Sequence, residues 1–477
     1  MLMPIFSLPS AEEIGTLGKS AFEFVDFLAS AGQSLWQILP IGPTGDDNSP
    51  YRCLSAFAGN PLLIDLKSLQ TDGLLSKEEL ETARNDAAHE PSSFVSPARV
   101  DYARVRAYKL PLLIKAASRI QDENKDYQRF CAKNAYWLDD FAEMQTQIKG
   151  EPSSAVEPFV YVKRIQYLFF SQWIVLKAYA NAHGIGIIGD LPFYVSEQSA
   201  DYRAHPELFL TVNRGQKKGT PSVSAGVPPD AFSANGQVWN VPVYAWHAHK
   251  KENYRWWLAR LRQTAALYDL CRLDHFRGLS EYYTIPISHP ASAGSWQRGP
   301  GRHFIDAVKK NVPGIGIIAE DLGILTDDLS ELLNYSGFPG MKVLQFAFDP
   351  EEEDSGYLPH NHTRDSVVYT GTHDNNTLIG WTRDSKPDVV EYACEYLGVR
   401  NKKDLPKAMI RAAQASVADT AVIPVQDWLG LGEKSRINTP STLSAGNWSF
   451  RLGEGVLTDT LADRVCEITK IYGRARD

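Results

Sequence analysis

Four short apolar runs in this chain each lead into a carboxylate. They read Gly184-Ile-Gly-Ile-Ile-Gly-Asp190, Leu267-Tyr-Asp-Leu-Cys-Arg-Leu-Asp274, Gly314-Ile-Gly-Ile-Ile-Ala-Glu320 and Val367-Val-Tyr-Thr-Gly-Thr-His-Asp374. In Arg272-Leu-Asp274 the two-residue period of a strand puts guanidinium and carboxylate on one face. The cation favours the ionised acid, which is the state a carboxylate nucleophile needs. A plain ion pair at a strand end fits those residues equally. Glu320 is followed at once by Asp321. One carboxyl near another, partly desolvated, holds its proton more tightly and suits a proton donor; a loop start that caps the next helix is the blander reading. His373-Asp374 lies in a dense run of short polar residues, from Thr370 to Thr377. Such a pair could bind vicinal sugar hydroxyls through charge-assisted hydrogen bonds, or form a turn that satisfies its own backbone. No second His or Cys stands near it at ligand spacing, so no metal site is read there.

Runs this rich in Ile, Leu and Val suit parallel strands covered on both faces. Helical patterns separate them at 254–265, 303–311, 327–335, 388–398 and 407–418, and further strands are expected at 341–348 and 421–426. About eight strand candidates alternating with helices point to an α/β chain built as a (β/α)8 barrel; a doubly wound open sheet is the runner-up. In a barrel the strand C-termini form the catalytic rim. Residues 1–66 and 151–477 are assigned to the barrel. Residues 67–150, rich in charged helix formers and without an apolar strand, read as a helical insertion. An amphipathic helix is expected from Tyr161 to His183, closed by Gly184 as a left-handed C-cap. Residues 191–253 form a long loop subdomain whose part up to Pro242 reads as irregular, and 278–302 a second loop near the site. Long loops in a compact domain are usually functional or disordered. The aromatics Phe193, Tyr194, Phe232, Trp239, Tyr244 and Trp246 favour function here.

The net charge of −8 disfavours a polyanionic partner such as nucleic acid, which wants a basic field. The 5 cysteines are scattered, with no CxxC pair, which argues against a disulfide framework or structural zinc. No apolar run approaches the ~20 residues of a membrane span. Pro4 and Pro9 interrupt the start, and no signal-peptide pattern follows. A cytoplasmic protein is the expectation. Neither a Gly-x-Ser-x-Gly elbow nor a phosphate loop is present. Acids and an Arg at strand ends, ringed by aromatic loops, suit glycoside chemistry.

The motifs then become specific. They include Trp36-Gln-Ile-Leu-Pro-Ile-Gly-Pro-Thr-Gly45, Ser49-Pro-Tyr51, Ser55-Ala-Phe-Ala-Gly-Asn-Pro61 and Gly189-Asp-Leu-Pro192. Arg272-Leu-Asp-His-Phe-Arg-Gly278, Ile318-Ala-Glu-Asp-Leu-Gly323, Gly371-Thr-His-Asp-Asn375, Gln426-Asp-Trp-Leu-Gly-Leu-Gly432 and Gly446-Asn-Trp448 follow. Nearly the whole chain resembles the 4-α-glucanotransferases (amylomaltases, or disproportionating enzymes) of the α-amylase clan. That resemblance implies a barrel with inserted subdomains, Asp274 as nucleophile, Glu320 as general acid/base and Asp374 as stabiliser of the transition state. It implies that Arg272, His373 and Asp190 line the donor sugar subsite, and that Tyr51 and Trp239 are groove aromatics; Ser49 and Asn375 are counted with the substrate contacts. Maltooligosaccharides and α-1,4-glucans are the implied partners, and no metal or organic cofactor is implied. A hydrolase of the same clan and a glucan-binding protein without catalysis are the competing readings.

The chain departs from the family's usual pattern at three loops. Thr44-Gly-Asp46-Asp47-Asn48-Ser-Pro-Tyr51 stands where Thr-Gly-Tyr-Gly-Asp-Ser-Pro-Tyr is usual. Asp230-Ala-Phe-Ser-Ala-Asn-Gly-Gln237 replaces Asp-Tyr-Phe-Ser-x-Thr-Gly-Gln, and Trp239-Asn-Val-Pro242 replaces Trp-Gly-Asn-Pro. Two of these changes remove a tyrosine, so contact with outlying sugars is expected to weaken.

Overall fold

A computed structural model describes residues 1–87, 98–148, 156–212, 215, 218–229, 235–323, 325–352 and 354–476. Its strands are β1 (Leu35–Gln37), β2 (Gly186–Leu191), β3 (Val223–Val227), β4 (Gln237–Pro242), β5 (Leu270–Leu273), β6 (Glu281–Pro286), β7 (Ser295–Arg298), β8 (Gly316–Ala319), β9 (Gly340–Val343), β10 (Ser366–Tyr369) and β11 (Thr420–Val422). Seven of them form one parallel sheet in the order β1-β2-β5-β8-β9-β10-β11. The ring is closed by the chain start. Leu2 N donates to Ile423 O at 3.0 Å and Leu2 O accepts from Val425 N at 3.1 Å, while Met3 N donates to Gln37 O at 2.9 Å. Leu2 thus bridges β1 and the end of β11 as a one-residue eighth member, and the fold is the (β/α)8 barrel.

The barrel strands are largely buried, most completely in β10 where all residues are covered. Helices cover the outside, which is why Val, Ile and Leu run on without polar alternation. Several helices begin where a side chain satisfies their first free N–H groups. Thr326 accepts from Leu329 N ahead of Asp327–Ser336, and Thr377 accepts from Gly380 N ahead of Leu378–Asp384.

The segment 67–148 carries helices Lys77–Ala87, Tyr102–Ser118 and Lys125–Ile148, with Leu66–Thr71 at its edge. The last two pack on the long helix Val156–Ala182. Gly184 has φ +75°, the left-handed geometry expected after that helix. The expectation of amphipathicity fails for the long helix. Helix Lys19–Ser30 also packs against it, so apolar residues are wanted on more than one side.

The two long loops also differ from expectation. β3 and β4 from one and β6 and β7 from the other join in a single antiparallel sheet, ordered β4-β3-β6-β7. Its small core is Tyr283, Ile285 and Ala291. Gly226 sits where the β3–β4 register shifts, and a Cβ there would lie 2.1 Å from Gln237 O. Residues 230–234, which include the departing Ala231 and the aromatic Phe232, lie outside the described residues.

Candidate active site

Two of the strands end one residue before their acids. β5 stops at Leu273 and β8 at Ala319, yet the ladder extends one residue: Asp274 N donates to Leu191 O at 3.1 Å and Glu320 N to Leu273 O at 3.0 Å. These bonds fix both acids at the C-terminal rim. Asp190 lies within β2, in register with Arg272 on β5. Neighbouring in-register residues share a face, and Arg272 Nη1 donates to both carboxylate oxygens of Asp190 at 2.9 Å. Its Nη2 stands 2.9 Å from Asp274 Oδ1. The guanidinium is therefore forked between two acids, with Asp190 fully buried and Asp274 28% exposed toward the cleft. Burial works against the charge of Arg272, but Asp190 and Asp274 more than offset it and hold its pKa well above the usual value.

Glu320 is placed by a second device. His275 adopts φ 47°, and in that left-handed turn its backbone N donates to Glu320 Oε2 at 2.7 Å. The pKa of Glu320 is raised to about 7, chiefly by burial, with Asp274 adding to the rise and Arg272 and the His275 N–H opposing it. A carboxyl poised there can give up a proton and take it back near neutrality.

Asp374 follows β10 by five residues, on the polar turn Thr370–Asn375. Asn438 Nδ2 donates to its Oδ1 at 2.6 Å and His373 Nε2 faces its Oδ2 at 3.3 Å. Burial would raise its pKa, but His373, Asn438 and Arg272 together hold it well below the carboxylate range. His373 is buried, and its Nδ1 faces the Tyr51 hydroxyl at 3.3 Å. The two rings stack at 4.9 Å with a 16° interplanar angle. Tyr51 donates its hydroxyl to Asp190 Oδ2 at 2.6 Å, so Tyr51, Asp190, His373, Arg272, Asp274 and Asp374 form one connected cluster.

The remaining expected contacts lie around it. Trp239 on β4 meets His275 edge to face, with centroids 4.9 Å apart. Ser49 Oγ accepts from Tyr51 N at 3.3 Å, and Asn375 Oδ1 accepts from Thr372 N at 2.8 Å and Thr372 Oγ1 at 2.9 Å. Both side chains hold the turns on which Tyr51 and Asp374 sit. No group of three or more His, Cys, Asp and Glu arranged to hold a metal ion occurs among the described residues.

A family model described as 4-alpha-glucanotransferase matches residues 3–156 and 145–457. The chain belongs to the 4-alpha-glucanotransferase family. A 4-alpha-glucanotransferase of Streptococcus pneumoniae is 42% identical, covering 100% of this chain and 97% of that relative. One from Clostridium butyricum is 39% identical over 99% of this chain and 100% of that relative. Among solved structures, an amylomaltase from Streptococcus agalactiae in complex with acarbose superposes with a TM-score of 0.91 at 35% identity, covering 100% of this chain and 99% of that one.

Sequence reasoning missed several residues of this glucanotransferase site. Asn438 stands in no motif, so nothing marked it as the donor to Asp374. The His275 backbone acts through a conformation that side-chain chemistry does not announce. Trp448, quoted in a motif but given no role, packs 5.6 Å from Tyr51 and 5.8 Å from His373. Asp427 accepts from Thr370 Oγ1 at 2.7 Å and Leu378 N at 2.8 Å, and so braces the turn after β10.

Proposed function

We propose that this rim carries out retaining glucanosyl transfer between α-1,4-glucans, with maltooligosaccharides as donor and acceptor. Asp274 attacks the anomeric carbon while Glu320 protonates the departing 4-oxygen, and a covalent glucosyl-enzyme forms. Asp374, held ionised, stabilises the oxocarbenium-like state. Glu320 then takes the proton from the 4-hydroxyl of a second glucan, which displaces Asp274 with overall retention. Arg272, Asp190, His373 and Tyr51 grip the donor sugar, with Trp239, Ser49 and Asn375 along the groove. The observation that carries this reading is one cleft holding three acids in different situations: one raised to about 7, one held down, and one half-open against a guanidinium.

The same reading takes residues 1–66 and 151–477 as the catalytic barrel, 67–150 as an insertion, and 191–253 with 278–302 as the cover of the groove. A covered groove that seats an acceptor sugar and excludes water favours transfer over hydrolysis. A cytoplasmic setting is part of it, supported by five unpaired cysteines. Maltotriose tests the activity: glucose with chains longer than maltotriose is the expected product set, and glucose with maltose alone would make the protein a hydrolase. Asp274→Asn is expected to abolish turnover while calorimetry still records maltooligosaccharide binding; undiminished turnover rejects the nucleophile.

A further inference from the structure

Between buried Pro43 and buried Pro50 no side chain of the 44–49 loop is buried. Between those two prolines no apolar side chain anchors the loop that delivers Tyr51 to Asp190 and His373. Polar tethers take that part. Arg106, on helix Tyr102–Ser118, donates Nη2 to Gly45 O at 3.0 Å and to Asn48 Oδ1 at 2.6 Å. Asn48 has φ 57°, a left-handed conformation that asparagine tolerates better than most side chains. Next to it, Asp47 Oδ2 is held by Arg52 Nη1 at 2.8 Å, and Asp47 Oδ1 accepts from Ser49 N at 3.2 Å. Ser49 Oγ then accepts from Tyr51 N, so successive residues of the loop are each held by a polar contact up to the backbone of Tyr51.

The first turn of that helix reaches the other side of the same cluster. Tyr102 donates its hydroxyl to Trp448 O at 2.8 Å, and Trp448 packs against both Tyr51 and His373. The Arg106 guanidinium lies 5.6 Å from the Tyr102 ring centroid. One helical turn outside the barrel thus fixes both the loop below Tyr51 and the backbone of Trp448. Asn48, which accepts one of the Arg106 bonds, and Asp47, held by Arg52, are positions at which this chain departs from the family's usual loop.

We propose that Arg106 is a positioning residue for glucan binding: through Gly45 and Asn48 it keeps the 44–51 loop in the conformation that seats Tyr51 in the site. The inference rests on the functional reading above. Without the tether the loop samples other conformations, and substrate must select the competent one. Apparent affinity then falls by the fraction of time the loop is competent, while the turnover of bound substrate stays.

The experiment is maltotriose disproportionation by the full chain. The wild-type protein must form longer maltooligosaccharides and Asp274→Asn must not; failure there defeats the functional reading, whatever Arg106 does. With that control met, Arg106→Ala is expected to raise KM on the order of tenfold with kcat within about twofold. Asn48→Ala should act in the same direction but more weakly, since the bond from Arg106 to Gly45 O survives, and the double variant should fall short of the sum of the singles, because they share one interaction. Arg106→Lys, with a single ammonium in place of the fork, should fall between Ala and wild type. An unchanged KM, additive effects of the two alanines, or a lower kcat at constant KM (the mark of less folded enzyme) each overturn the proposal.

Discussion

Arg272 and Glu320 show how few residues set the charge states of the rim. Arg272 is shared between a buried partner and an open one, so it is anchored by Asp190 while serving Asp274. Glu320, raised to about 7 mainly by burial, should impose a descending limb on kcat/KM above that pH, as the proton for the first step is lost. Its folded pKa lies above the ordinary 4.5. Between those values the native state binds more protons than the unfolded one, so this group's contribution to stability falls as pH rises through the window. Glu320→Gln is therefore expected to melt above wild type at pH 8, with the gap closing by pH 4, while activity drops by about 10²–10⁴; thermal melts at both pH values check the sign. When Asp274 is esterified its charge disappears, and with it one cause of the high proton affinity of Glu320. On the proposed roles that change suits Glu320 to act as the base in the second step. Asp274, Glu320 and Asp374 could be picked out as strand-end acids from type and position alone. Asn438 and the His275 N–H could not, because a lone amide and a backbone dihedral leave no pattern in a single sequence.

Most barrel strands were legible as short, mainly apolar runs that lead into a polar stop, and several of their ends were read too long. β9 gives way at Leu344 to a 3-10 turn, although the run looks continuous to Phe348. The antiparallel sheet was not legible. β3 is Val-Ser-Ala-Gly-Val and every residue of β7 is exposed, so neither offers the two-residue alternation that marks a half-buried strand. This sheet brings Trp239 over His275, which makes its geometry part of the site. Gly226→Ala would push a Cβ into the Gln237 carbonyl, shifting β4 and with it Trp239. The expected result is a cost of about 1–3 kcal/mol in thermal unfolding, together with a higher KM for maltotriose. A full-strength KM alongside the lost stability would uncouple the sheet from the groove.

At the scale of the whole molecule, a buried ion pair ties helix Tyr102–Ser118 to the N-terminal segment of the chain. Lys109, on the same helix as Arg106, is fully buried and pairs with Glu12, while its Nζ also donates to Ile64 O at 2.6 Å. Burial raises the pKa of Glu12, and Lys109 opposes the rise. Lys109→Met strands that carboxylate and should cost about 3–5 kcal/mol in denaturant unfolding. The double change Lys109→Met with Glu12→Gln should cost clearly less, since no unpaired charge remains. Alternation of strand and helix made the barrel legible, but this latch was not: Glu12 and Lys109 look like two ordinary surface charges until the fold joins them. The closure through Leu2 was equally hidden, for a single residue is too short to read as a strand. It also has a kinetic cost. Leu2 and Pro424 stand near opposite ends of the chain, and contacts so distant in sequence form slowly because loop closure must precede them. Until they form, β1 and β11 are raw edges of an unfinished sheet, and such edges recruit other chains. The molecule is thus most prone to aggregate just before its ring is sealed.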